Sequence, residues 1–134
     1  MAQLIDATVF ITLERRGEDP LARITTTDEA VGIAAITASE LLTGVHRANS
    51  PERRLRRETF VERILERVPV LFFDLTVARI HAQVWAQLAA TGQLIGVHDL
   101  MVAATALTYG YSVLTDNVDE FQRVPGLVVR QPSW

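Results

Sequence analysis

The chain has 134 residues, with thirteen arginines, no lysine and sixteen acids, for a formal charge of −3. That length suits one compact domain, which buries roughly two-thirds of its unfolded surface and needs no covalent staple. The absence of cysteine excludes disulfides, thiolate zinc sites, iron–sulfur ligation and a thiol nucleophile, and the absence of lysine excludes a Walker P-loop and Schiff-base chemistry.

In chain order, short apolar runs alternate with helical stretches. A strand at 4–5 precedes helices at 9–16 and 21–27, and a second strand at 31–35 precedes helices at 37–47 and 51–67. A third strand at 70–73 leads into the clearest helix, 76–90, where Val77, Ile80, Val84 and Leu88 repeat at helical spacing behind Thr76 as cap. A helix at 99–109 follows, ended by Gly110 in a left-handed cap, and strands at 111–114 and 127–129 complete the chain. This alternation predicts an α/β/α three-layer sandwich around a mostly parallel sheet of four to five strands, in a single domain over 1–134. The start lacks a basic n-region and reaches Asp6 early, no apolar run approaches the ~18 residues of a membrane span, and the expectation is a cytoplasmic protein without membrane contact. A mean hydropathy of +0.17 points to a buried subunit interface.

In such a sheet, ligands bind beyond the carboxyl ends of the strands. Asp6 follows the first strand, Glu40 lies one turn into the helix after the second, Asp99 opens the helix before the fourth, and Asp116, Asp119 and Glu120 follow the fourth. Acids gathered this closely repel one another unless a cation neutralises them, and all-oxygen ligation suits Mg2+ or Mn2+. Each also has a plainer role. Asp6 and Asp99 can cap or charge their helices, Thr37 and Glu40 have the spacing of a capping box, Asp116-Asn117 is a common turn pair and Asp119-Glu120 a solvated one. Only their joint placement at one sheet edge argues for a site.

The segments Leu4-Ile5-Asp6-Ala7-Thr8-Val9, Ala38-Ser39-Glu40-Leu41-Leu42-Thr43-Gly44, Ile95-Gly96-Val97-His98-Asp99-Leu100-Met101-Val102-Ala103-Ala104 and Leu114-Thr115-Asp116-Asn117-Val118-Asp119-Glu120-Phe121 resemble, in order, the PIN-domain family, and within it the VapC-type toxins of bacterial toxin–antitoxin pairs. The resemblance implies a metal-dependent ribonuclease whose first three acids fall on Asp6, Glu40 and Asp99. The fourth falls on Glu120, with Asp116 as second choice. It further implies that Asp6 and Asp99 ligate the ion directly, with Glu40 and the fourth acid holding its waters or a second ion. Thr115 matches a family hydroxyl, whereas Thr8 departs from a common Asn. The substrate implied is RNA, initiator transfer RNA among others. The partners implied are a second copy of the chain and a VapB-type antitoxin whose C-terminal segment blocks the cleft. No DNA binding by this chain alone is expected.

Residues 51–68 sort their charges by face, with Glu52, Glu58, Glu62 and Glu66 on one stripe and Arg53, Arg56, Arg57, Arg63 and Arg67 on another. The arginine stripe can track a phosphate backbone, or it can be a solvated face with pairs such as Glu52 to Arg56. His46, His81 and His98 show no metal spacing, and only His98, beside Asp99, is a candidate RNA contact. Trp85 and the Phe72-Phe73 pair are expected in the core or a subunit interface. A phosphotransfer enzyme of the haloacid dehalogenase or receiver type fails for want of a lysine, and a non-catalytic module survives only if the acids do not meet.

Overall fold

In a computed structural model of the chain, the structure describes residues 1–24 and 28–134. The elements run β1 (Gln3–Ile5), α1 (Ala7–Arg15), α2 (Pro20–Ile24), β2 (Val31–Ala34), α3 (Ala35–His46), α4 (Pro51–Arg67), β3 (Val70–Leu71), α5 (Leu75–Ala90), α6 (Val97–Tyr109), β4 (Ser112–Leu114), α7 (Val118–Phe121) and β5 (Val129–Arg130). Five parallel strands pair in the order β3-β2-β1-β4-β5. The last three positions of the helix expected at 21–27 lie outside the described residues.

Strand alternation sends neighbouring side chains to opposite faces, which builds two cores on one sheet. Ile5, Ile33 and Leu114 meet Phe10 and Leu13 of α1, Leu41 of α3 and Ile64 of α4. Leu4, Ala34 and Val113 meet Val84 of α5, Val102 and Ala106 of α6 and Phe121 of α7. Three layers result, as the alternation predicted. Because β1 pairs with both β2 and β4, the chain reverses its direction of winding between β1 and β4. A crevice at their carboxyl ends is the expected ligand position.

Several boundaries depart from the sequence reading, each for a local reason. Helix α1 begins at Ala7, directly behind Asp6. Helix α5 is capped by Asp74, whose Oδ1 accepts the N–H of Val77 at 3.0 Å, so Thr76 lies inside the helix. Strand β3 stops at Leu71 because its partner β2 ends at Ala34, where α3 begins, and Phe72 has no strand to pair with. Phe72 and Trp85 are 72% and 51% exposed, so neither is core. Helix α4 starts as expected, with Pro51 behind a Ser50 cap, and Gly110 closes α6 at φ +72°. The short helix α7, unforeseen in the sequence, carries Glu120 toward the crevice.

Candidate active site

Asp6 leaves β1 in extended geometry as the N-cap residue of α1, yet its side chain makes no capping bond. It is 3% exposed, and its Oδ2 accepts two hydroxyls at 2.8 Å, from Thr8 and from Thr115. Each hydroxyl in turn accepts a backbone N–H of the β4–α7 loop, Asp116 to Thr8 at 3.1 Å and Asn117 to Thr115 at 2.8 Å. Acceptance there directs each hydroxyl proton onto Asp6. The plainer role of Asp6 as a helix cap is therefore set aside.

Glu40 does not belong to a capping box. Helix α3 starts two residues before Thr37, with Ala34 at its cap, and the Thr37 hydroxyl is buried with no partner among the described residues. Glu40 instead sits in the second turn, half-buried, with Oε2 3.6 Å from Nδ1 of His98. Burial pushes its carboxyl up, the negative charge of Asp6 adds to this, and the His98 imidazole draws it back.

Asp99 occupies the third position of α6, which begins at Val97 rather than at Asp99. Its carboxyl is pushed from the ordinary 3.8 up to about 8, first by burial, then by its bond to Glu120 and by the charges of Asp6, Glu120 and Glu40. Asp99 thus carries the proton. Glu120 is the charged acceptor, held below its ordinary value by Asp99 and Asn117. The side-chain amide of Asn117 donates to both, 3.0 Å to Asp99 Oδ2 and 2.8 Å to Glu120 Oε2. Sequence reasoning missed Asn117 as a mere turn residue; its place three before Glu120 was the available signal.

The structure thus brings Asp6, Glu40 and Glu120 within electrostatic reach of Asp99, and Asp6 within reach of Glu40, at one sheet edge. Asp116 is not among them. It is exposed and accepts the Thr12 hydroxyl at 2.9 Å, a contact along α1 rather than into the cluster. Asp119 is likewise exposed. Among the described residues no three acidic or imidazole groups close into a ready metal cage. The donors still fit a hard dication. They are all carboxylate oxygens, and burial first, with the neighbouring acids adding to it, disfavours the charge on Asp99, which a bound cation would offset.

Beside Glu40 opens a groove of about 330 Å³, lined by Ala7, Ile11, Leu41, Phe60, Arg15 and Arg57 among others. The arginine stripe of α4 is partly engaged. Arg57 pairs with Glu14 at 3.3 Å and donates to the Gly44 carbonyl at 3.1 Å, Arg63 forks onto Asp19 at 3.0 and 2.8 Å, and Arg53 donates to Asn49 at 2.9 Å. Among the described residues Arg56 and Arg67 make no such bond and are exposed. No helix among the described residues is long and apolar enough to cross a membrane.

The acids of this chain lie at the switch point of a five-stranded parallel sheet, and a family model of the PIN domain matches residues 4–127: the chain belongs to the PIN-domain family. Within that family its relatives are VapC ribonucleases. Ribonuclease VapC1 of Rickettsia felis is 36% identical over 96% of this chain and 95% of its own length. The tRNA(fMet)-specific endonuclease VapC of Salmonella typhimurium is 36% identical over 95% of this chain and 92% of its own. Among solved structures, DNA-bound VapBC from Salmonella typhimurium superposes with a TM-score of 0.84 at 29% identity, covering 98% of both chains. VapBC-1 from nontypeable Haemophilus influenzae gives 0.82 at 27% identity, again over 98% of both.

Proposed function

We propose that this chain is a divalent-cation-dependent endoribonuclease, the toxin of a toxin–antitoxin pair, which cuts RNA at unpaired positions. The observation that carries the reading is geometric: Asp6, Asp99 and Glu40, from three elements remote in the chain, come together at one edge of a parallel sheet with Glu120 bridged to Asp99 through Asn117, and burial with these neighbours pushes the Asp99 carboxyl up. The curated relatives named as ribonucleases, two of them as tRNA(fMet)-specific, support RNA as substrate and initiator transfer RNA as the first to try. Duplex RNA hides the scissile bond from such a crevice, whereas a loop presents it.

Asp6 and Asp99 would hold a magnesium or manganese ion. When bound, the ion supplies Lewis-acid polarisation of water and of a phosphoryl oxygen. The chain's own groups set the stage. The Thr8 and Thr115 hydroxyls occupy Oδ2 of Asp6 and so orient its other oxygen. Asp99 would hold the ion as carboxylate, Asn117 holds Glu120 beside it, and Glu40, with His98 Nδ1 3.6 Å away, is placed to orient or accept a proton from water.

A partner is also proposed. The groove beside Glu40 suits an apolar segment of a small antitoxin, since VapBC complexes are the solved relatives of this fold, and the exposed Phe72, Leu75 and Trp85 suit pairing with a second copy. Incubation of purified protein with initiator transfer RNA and Mg2+, with and without EDTA, tests the reading. Magnesium-dependent fragments absent from Asp99→Asn are expected; cleavage undiminished in Asp99→Asn overturns it.

A further inference from the structure

The first turn of α6 stands clear of the core. Val97 is 74% exposed, the most of any large apolar side chain among the described residues, and Leu94 in the preceding loop is 46% exposed. His98 is more than half open, and its Nδ1 faces Glu40 at 3.6 Å, which tethers one edge of the ring and leaves the rest to solvent. Gly96, Val97, His98 and Asp99 together line an open hollow of about 360 Å³. Asp99 therefore belongs both to this hollow and to the acid cluster.

Folding does not account for apolar surface left beside carboxylates, because among the described residues Val97 is left 74% exposed. Beyond the dication of the ribonuclease reading, no free guanidinium among the described residues supplies a grip for a polynucleotide here. The acids repel phosphates, and Arg123, the guanidinium facing Glu120, already donates to the Leu94 carbonyl at 3.1 Å. A strand held next to this cluster needs a contact indifferent to charge. The flat face of an unpaired base on a ring and an aliphatic neighbour is such a contact, and it tolerates any sequence.

Resting on the ribonuclease reading above, we infer that Val97 and His98 form a stacking shelf for an unpaired nucleobase adjacent to the phosphate that is cut. The shelf draws a single strand across Asp99 without calling on a cationic side chain. It also favours single-stranded RNA over a duplex, whose bases are already stacked.

The test is steady-state cleavage of a short single-stranded RNA in Mg2+ by His98→Ala, His98→Phe and Val97→Ser. These side chains are exposed, so folding is not at stake, and thermal melts check it. His98→Ala and His98→Phe both lose the contact with Glu40, but only the alanine loses the flat face. The expected result is a KM for His98→Ala on the order of tenfold above that of His98→Phe, with kcat of the two alike, and a rise of several-fold in KM for Val97→Ser. In addition, one abasic position along the RNA should raise the wild-type KM and leave that of His98→Ala unmoved. Equal KM for alanine and phenylalanine, or an abasic effect that survives in His98→Ala, overturns the shelf alone. A wild-type protein that cuts no single-stranded RNA overturns the ribonuclease reading and the shelf together.

Discussion

The hydroxyl of Thr115 donates to Oδ2 of Asp6 across 2.8 Å and so joins the end of β4 to the end of β1. Both groups are almost wholly buried, and the same hydroxyl accepts the Asn117 N–H, so one oxygen atom ties Asp6 to the loop that carries the Asn117 amide. Thr115→Val keeps the shape and removes the bond. Hydrogen bonds to a charged group are worth about 1.5–3 kcal/mol, so Thr115→Val should lose stability in that range, with Thr115→Ser closer to wild type. Denaturant midpoints at unchanged slope report it. A Thr115→Val protein as stable as wild type would show the bond to be idle.

The fourth acid can be settled by a pair of variants. Glu120 shares its carboxylate with Asp99 and Asn117, whereas Asp116 accepts from Thr12 and faces along α1. Glu120→Gln should lower RNA cleavage by about a hundredfold or more, the range in which positioned acid–base groups act, while Asp116→Ala should stay near wild type. The reverse ranking would move the fourth position to Asp116.

The proton on Asp99 makes the metal-free protein less stable as pH rises. Its carboxyl titrates at 3.8 when unfolded and about 8 when folded, so between those values the native state binds more protons than the unfolded one. Stability must then fall with increasing pH across that window and level off above it. Glu120, held low by the same bond, works in the opposite sense but only near its ordinary 4.5 and below. The decline is therefore expected to be clearest between pH 6 and 8. Melting temperatures in EDTA should drop over that interval for the wild type and stay flat for Asp99→Asn, and saturating Mg2+ should raise the wild-type value at pH 8. A flat wild-type profile would mean that Asp99 is already ionised at neutral pH.

Much of this site could be read in the sequence because the sheet does the work of assembly. Once the alternation of strands and helices is seen, any acid just past β1, in the early turns of α3 or α6, or after β4 must fall at the same edge. What the sequence hid depends on contacts between segments remote in the chain. Thr37 and Glu40 have capping-box spacing, but the true start of α3 is set by where β2 ends against β3, and its cap is Ala34, three residues earlier than the pattern suggests. Asn117 looks like any turn asparagine until the fold sets Asp99, eighteen residues away, within its reach. Phe72 and Trp85 have core composition yet stand in solvent, since a pattern of apolar residues does not say whether the surface covering them is the chain itself or another one.

The arginines of α4 are separable by what already holds them. If RNA runs along this helix, each phosphate neutralised by a free guanidinium releases counterions, and the slope of log affinity against log salt for a single strand changes by about 0.7 per contact. Arg56 and Arg67 are exposed and unbonded among the described residues, so Arg56→Ala and Arg67→Ala should each flatten the slope by about that amount. Arg63 is already forked onto Asp19, whose carboxyl it holds down to about 2, and Arg57 is committed to Glu14 and the Gly44 carbonyl. Their charge is largely spent within the chain, so Arg63→Ala should change the slope less than either free arginine does. Salt titrations of binding to one fluorescent single-stranded RNA, with the Asp99→Asn protein to prevent cleavage, give all the slopes in one series. Slopes that do not respond to Arg56 and Arg67 would take the helix out of the RNA path and leave its sorted charges as a solvated face.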